Sequence, residues 1–254
     1  MDGAVPEGNL RSPAQAQNDI MTWLERLSSG QETTISRRRI VVPLCDDEVD
    51  VRRRYAKYGD FSKMNNRWNQ TSSAKLTARL SENPEEWEQY HTFYREARSS
   101  WPVIPFQEMI RWCKRREGYT IGDFGCGEAL LAKEIGDRHT VYSFDHVAID
   151  ESVIDGDMSH TPLDDETLDV AVFSLSLMGS NFTDYLREAH RVLKIDGHLH
   201  IWEATSRFTD VDSFCSGLEQ LGFRTFQPSR RGQFTHIEAQ KTDREPLEGV
   251  DVKM

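Results

Sequence analysis

From residue 119 onward, short apolar runs alternate with amphipathic ones, and this alternation limits the possible folds more than any other feature of the chain. YTIGDF (119–124), TVYSFD (140–145), VIDGDM (153–158), LDVAVFSLSL (168–177) and HLHIWEA (198–204) read as strands. LLAKEIG (130–136), FTDYLREAHRVL (182–193) and DVDSFCSGLEQLG (210–222) read as the helices between them. Each crossover helix must bury its apolar stripe on the sheet it crosses, so such a chain builds a parallel sheet covered on both faces. The expected core is α/β, a Rossmann-like doubly wound, mostly parallel sheet over residues 119–242, with a flexible tail at 243–254.

Ahead of the core the pattern is different. Residues 1–62 read as a polar, partly flexible extension with one short amphipathic stretch, IMTWLERL (20–27), and residues 63–118 read as a helical N-terminal cap. In SENPEEW (81–87), Ser81 or Asn83 is placed to cap a helix, Pro84 suits its first turn, and Glu85 and Glu86 favour its positive end. The net charge is −11, but it is unevenly spread: residues 1–80 hold 13 Lys/Arg against 10 Asp/Glu, and residues 81–254 hold 18 against 32. The basic character gathers in two arginine triplets, Arg37–Arg39 and Arg52–Arg54, which suit phosphate contacts, a solvated helix face or an import signal equally. No apolar run reaches the roughly 18 residues of a membrane span, and the first residues lack a signal-peptide layout, so an intracellular protein is expected. Four scattered cysteines, Cys45, Cys113, Cys126 and Cys215, form no CxxC or Cys/His cluster, so free thiols and no metal site are expected.

DFGCG (123–127) ends one strand and opens the next helix, the setting in which glycines let a backbone approach a ligand. A dinucleotide fingerprint would place Gly or Ala where Leu130 stands, and a phosphate-binding loop would need a GK[ST] that is absent. The acid-x-Gly-x-Gly form instead resembles the first motif of class I S-adenosylmethionine-dependent methyltransferases, whose ligand carries no phosphate. Partners follow in order. Asp145, 18 residues past Gly127, closes the next strand, where a carboxylate can accept both ribose hydroxyls. Asp157 and Met158 close the third, where an acid takes the adenine amino proton and a thioether lies on the ring. SLSLMGSN (174–181) ends the fourth, beside the reaction centre, and LREAHRVLKIDGHLHI (186–201) supplies a helix, glycine turn and strand. Taken singly, Gly125 and Gly127 could close an ordinary turn, Asp123 could cap a helix, Asp145 could be a surface carboxylate, and Met158 and Ser174 could be packing residues. Their order and spacing around one sheet edge favour the ligand reading.

More specific stretches identify a closer likeness. YHTFYREARSSWPVIP (90–105), DFGCGEALLA (123–132), FDHVAID (144–150), DMSHTPLDDETLDVAVFSLSLMGSN (157–181), EAHRVLKIDG (188–197), SRFTDV (206–211) and LGF (221–223) resemble the ribosomal RNA-processing protein 8, or nucleomethylin, family over residues 63–242. The resemblance implies a class I methyltransferase that takes S-adenosylmethionine, releases S-adenosylhomocysteine, and methylates adenine N1 of large-subunit ribosomal RNA during rRNA processing and ribosome biogenesis in the nucleolus of the nucleus. It implies cofactor contacts at His91, Gly125, Asp145, Asp157, Met158 and Ser174. The cap would then lie over the cofactor as a lid, with His91 near its carboxylate and Trp101, Pro102 and Pro105 fixing the path into the sheet. The lysine-rich N-terminal region common in the family is represented here by the arginine-bearing stretch 36–57, and Ser174 stands where some relatives have cysteine.

Such chemistry asks mainly for positioning, because the methyl is already activated and N1 carries an available lone pair. No general base is assigned and the catalytic side chains are left unknown. On the acceptor side, Glu203 is placed to stabilise the cationic product and Arg207 to hold phosphate, while the arginine triplets are read as RNA-backbone contacts. Ribosomal RNA is the expected partner, with chromatin or nucleolar proteins as further ones and neither membrane nor metal. Two alternatives use the same pocket: a cofactor-sensing module that binds chromatin or protein, and a methyltransferase acting on a protein or small molecule.

Overall fold

The computed structural model describes residues 48–254, so IMTWLERL and Arg37–Arg39 lie outside the described residues. Five helices come first: α1 (Glu48–Tyr58), α2 (Phe61–Asn69), α3 (Ser73–Glu82), α4 (Pro84–Arg98) and α5 (Pro105–Cys113). The apolar positions of the first four converge on one cluster, with Tyr58, Met64, Trp68, Leu76, Leu80, Trp87 and Tyr90 buried together with Val147 of the core, while α5 sends Met109, Ile110 and Cys113 against Ile121 and Val172 of the sheet. Burying a side chain of that size contributes about 1.5–3 kcal/mol, so the cluster holds the cap together without a sheet beneath all of it. Asp60 caps α2 by accepting the Lys63 N–H at 2.8 Å.

The sheet follows, as β1 (Thr120–Phe124), β2 (Thr140–Asp145), β3 (Val153–Asp155), β4 (Leu168–Ser174), β5 (Leu193–Ala204), β6 (Phe223–Thr225), β7 (Ser229–Arg231) and β8 (Phe234–Lys241). The strand order is β3-β2-β1-β4-β5-β8-β6, with β7 also on β8. The pairs among β1 to β5 are parallel, and those of β8 with β5, β6 and β7 are antiparallel. Alternate strand residues feed two cores: Phe124, Phe173 and Leu199 point into one, Ile121, Val172 and Trp202 into the other. Helices α6 (Leu130–Ile135), α7 (Phe182–Val192) and α8 (Val211–Gln220) cover them, and Asp210 caps α8 by accepting from the N–H groups of Asp212 and Ser213. Strand order reverses between β1 and β4, which opens a crevice at their carboxyl ends.

Several expectations need correction. Among the described residues the helical layer already includes Glu48–Tyr58, ahead of residue 63, because α1 packs on α4 through Arg54, which pairs with Glu88 at 3.2 Å and Gln89. The tail is not loose: Val252 is buried against Gly217, its N–H donates to Thr183 Oγ1, and Arg187 donates to the carbonyls of Leu247 and Val250. Ser81 does not cap α4; it lies inside α3 and donates to the Thr77 carbonyl, while Asn83 occupies the cap position but turns its side-chain amide back to donate to the Arg79 carbonyl. β4 stops at Ser174 because Leu175 turns to φ +61°, and the glycine turn at Gly197 lies inside β5, where Asp196 takes φ +64°. Among the described residues no helix is long and apolar enough to cross a membrane, and Cys113, Cys126 and Cys215 are free thiols.

Candidate active site

The crevice is built on the turn after β1. Gly125 and Gly127 adopt φ +73° and +55°, conformations that side-chain-bearing residues avoid. The N–H groups of Gly125 and Cys126 both donate to the Phe144 carbonyl, at 2.8 and 2.9 Å, and the Gly127 N–H donates to Asp145 Oδ2 at 2.8 Å. The end of β2 therefore holds the turn. There is no room for a side chain on it: a Cβ at 125 would stand 2.4 Å from Ser176 Cβ, and one at 127 would stand 2.7 Å from His91 Cε1.

Above the turn is a cleft of about 820 Å³, counting the part open to solvent. Trp68, Trp87, Tyr90 and Tyr94 of the cap form its roof. The roof is latched to the strand ends by polar side chains. Trp87 Nε1 donates to Asp145 Oδ1 at 2.7 Å, Ser73 Oγ to Asp157 Oδ2 at 2.8 Å, and Thr77 Oγ1 shares a 2.8 Å hydrogen bond with His146 Nδ1. Arg95 and Arg98 pair with Glu128 at 3.1 and 2.7 Å, tying α4 to the start of the helix after the turn.

Two buried polar atoms of the lining, His91 Nδ1 and Ser174 Oγ, have no hydrogen-bond partner among the described residues. An unmet buried polar atom costs about 1–3 kcal/mol, which a bound ligand can recover. Burial pushes His91 down to about 4, against the pull of Asp145 and Glu128, so its ring is neutral near pH 7. Asp123 moves the other way: burial first, then the charge of Asp145, pushes its carboxyl up to about 7. The cleft thus holds an acid poised to gain or lose a proton near neutrality.

Of the residues singled out from the sequence, His91, Gly125, Asp145, Met158 and Ser174 line this cleft together. Asp157, Glu203 and Arg207 are not in the lining. Asp157 is engaged by Ser73 and by the N–H and hydroxyl of Ser159. Glu203 Oε1 accepts the Leu177 N–H at 3.0 Å and its Oε2 pairs with Arg207 at 3.0 Å, while Arg207 donates to the Leu177 carbonyl at 2.9 Å. This pair clamps the loop after β4 from behind and is not free to hold phosphate. Glu203→Ala is expected to lower unfolding stability by about 2–3 kcal/mol in urea titration, because it orphans a buried N–H and an arginine charge together. The second arginine triplet is likewise spent: Arg52, Arg53 and Arg54 meet Glu48, Glu85 and Glu88. The sequence reading missed Trp87 and the other roof latches, which pair residues 58 to 84 positions apart. It also missed that β5 and β8 gather His198, His200 and Glu238 with ligand atoms within 4.8 Å of one another, although His198 Nδ1 is already hydrogen-bonded to Glu238 and His200 Nδ1 to His236.

Compared with solved structures, the chain resembles the 1,6-didemethyltoxoflavin-N1-methyltransferase of Burkholderia thailandensis, solved with 1,6-didemethyltoxoflavin and S-adenosylhomocysteine. The TM-score is 0.51 at 17% identity, over 68% of this chain and 92% of that one. Together with the strand order, that likeness defines the fold as the class I methyltransferase fold. Residues 46–252 match a family described as a hypothetical methyltransferase. Ribosomal RNA-processing protein 8 of Caenorhabditis elegans is 40% identical over 157 residues, 61% of this chain and 45% of that protein. The 25S rRNA (adenine(645)-N(1))-methyltransferase of Schizosaccharomyces pombe is 37% identical over 179 residues, 65% of this chain and 56% of that protein. The chain belongs to the ribosomal RNA-processing protein 8 family of methyltransferases, and it spans about half the length of these two relatives.

Proposed function

We propose that the chain is an S-adenosylmethionine-dependent methyltransferase that modifies N1 of an adenine in large-subunit ribosomal RNA, and that it works in the nucleolus. The observation that carries the cofactor assignment is the cleft itself, where two buried polar atoms without a partner among the described residues, His91 Nδ1 and Ser174 Oγ, face a glycine turn with no phosphate-binding lysine. The acceptor assignment rests on the family and on the activity named for the fission yeast relative.

The residues present fit the cofactor. Asp145 stands at the end of β2 to receive ribose hydroxyls; each of its oxygens already accepts one N–H, and each has a second lone pair to offer. Met158, 4% exposed, and His146 give the adenine end an apolar and a polar wall. Gly125 and Gly127 allow the chain to approach the amino-acid end, beside His91 and Ser174. When bound, S-adenosylmethionine supplies a methyl group on a positively charged sulfur. The chain's own contribution is to orient and to exclude water: Trp68, Trp87, Tyr90 and Tyr94 close the roof, so that a base admitted from the rim is held in a dry site. The methylated base is cationic, and the ionised form of Asp123, with the carbonyls of the loop after Ser174, offers the negative charge that stabilises it.

Purified protein incubated with S-adenosylmethionine and unmodified ribosomal RNA is expected to produce N1-methyladenosine, read by nucleoside mass spectrometry against a Gly125→Arg control. Unpaired adenines should react faster, because N1 lies on the pairing edge and opening a duplex costs a few kcal/mol. If the wild-type chain binds S-adenosylhomocysteine yet yields no N1-methyladenosine above the control, the enzyme reading is lost and the cofactor-sensing module takes its place.

A further inference from the structure

Arg52, Arg53 and Arg54 are each paired with a carboxylate, and the edge of the sheet carries arginines that are not. The chain from Phe223 to Arg231 runs along the outer side of β8 as β6 and β7, and no further strand covers it among the described residues. It carries Arg224, Phe226, Arg230 and Arg231. Arg230 and Arg231 are exposed and form no ion pair with any described residue, and Arg224 donates to the Gln240 side-chain oxygen and meets no carboxylate among the described residues. Arg230 makes one long hydrogen bond, 3.4 Å, to the Gly232 carbonyl. Phe226 is 40% exposed with the Arg224 guanidinium 5.5 Å from its ring. By contrast, Arg52, Arg53, Arg54, Arg67, Arg79, Arg95, Arg98, Arg191 and Arg207 all face carboxylates.

The placement of this edge relative to the cleft is as telling as its charge. β8 runs antiparallel to β5, so its first residue, Phe234, pairs with Ala204 at the carboxyl end of β5, the edge on which the cleft opens. The hairpin between β7 and β8 is fastened there. The Thr205 N–H donates to the Gln233 carbonyl at 2.9 Å, Thr205 and Thr235 share a hydroxyl bond at 3.0 Å, and Gly232 lies beside Pro102 and Val103. Phe234 packs on Trp101 at 4.9 Å, and Trp101 on Tyr94 of the roof at 5.7 Å. Register pairs Arg230 with Thr235 and Arg231 with Phe234, so the two arginines stand on opposite faces of the ribbon and can meet different phosphates. From Arg231, opposite Phe234, to Arg224, opposite Gln240, the ribbon extends about 20 Å along β8.

We propose that this edge ribbon is the track for the RNA backbone, with Arg230 and Arg231 binding phosphates next to the cleft and Phe226 offering a face on which a base stacks. The inference rests on the reading of RNA as the acceptor and adds where that acceptor is held. Arginine contacts to phosphate carry no sequence information and position the strand, while stacking tolerates any base, so this surface gives affinity and register and leaves choice of the base to the cleft.

The test is fluorescence anisotropy of a labelled single-stranded RNA oligonucleotide with the full chain, over a range of salt concentrations. Replacing Arg230 and Arg231 with glutamine is expected to weaken binding about tenfold near 0.1 M salt and to reduce the slope of log affinity against log salt by about 1.4, since each phosphate contact on a single strand adds about 0.7. Replacing both with lysine should restore the slope. In turnover with ribosomal RNA, the glutamine variant should raise KM for RNA while kcat and S-adenosylhomocysteine affinity hold. An unchanged slope in a wild-type chain that does bind and methylate RNA overturns the ribbon alone, leaving these arginines as protection of an exposed sheet edge against self-association. No RNA binding or turnover by the wild-type chain overturns the acceptor reading and this inference with it.

Discussion

Gly125→Arg is expected to abolish S-adenosylhomocysteine binding, a loss of at least about a hundredfold, or about 2.8 kcal/mol, by titration calorimetry. The reason is local and threefold. Position 125 has φ +73°, which costs an L-residue with a side chain roughly 1–2 kcal/mol. Its Cβ would stand 2.4 Å from Ser176 Cβ, so either the turn or the loop after β4 must move. What remains of the arginine then occupies the cleft. Gly249→Arg separates these effects: Gly249 also has a positive φ, +70°, but a Cβ there meets nothing within 4 Å. That variant should bear the conformational cost and bind as the wild type does. Equal binding by Gly125→Arg and wild type would remove the glycine turn from the site; equal loss in both variants would mean that only global stability was being read.

The core elements of the sheet were legible because each carries its own local signal. β1, β2, β4 and helices α7 and α8 stand where apolar period and turn residues place them, and Asp145 falls at a strand end for the same reason. β8 was overlooked although FTHIEAQK alternates between buried and half-buried positions from Thr235 onward. The functional roof was legible only through family resemblance. His91 lies on a helix with no feature that marks it out, and its ring acquires meaning only where α4 crosses Gly127. Arg53 and Arg54 show the opposite failure: part of a conspicuous charge run, their partners Glu85 and Glu88 sit on another helix that the sequence cannot bring alongside. Local pattern specifies where strands end, and tertiary pairing decides which charges remain for a ligand.

Buried histidines make a second large effect follow. Burial pushes His91, His190 and His236 down to about 4 and His200 down to about 3, and lowers His146 as well. Each carries an ordinary value of 6.5 in the unfolded chain, so between about pH 6.5 and 4 the unfolded state binds the more protons. Stability therefore rises with pH across that window and is lost as pH falls through it. Asp123 works in the other direction. Its carboxyl, pushed up to about 7, favours the folded state when protonated, a contribution present at low pH and lost as pH rises through about 7. One acid cannot offset several histidines, particularly since His200 Nδ1 and His236 Nε2 stand 3.1 Å apart and share a single proton between them. Protonating both rings would set N–H against N–H. With each tenfold change in proton affinity corresponding to about 1.4 kcal/mol, roughly hundredfold or larger changes at several histidines against one at Asp123 amount to an expected combined loss of several kcal/mol between pH 7 and 4.5, a large part of a typical domain's stability. Urea unfolding of the ligand-free chain at a series of pH values measures it directly: the midpoint should fall steadily below pH 6.5, and a midpoint that holds constant down to pH 5 would show that these rings accept protons in place.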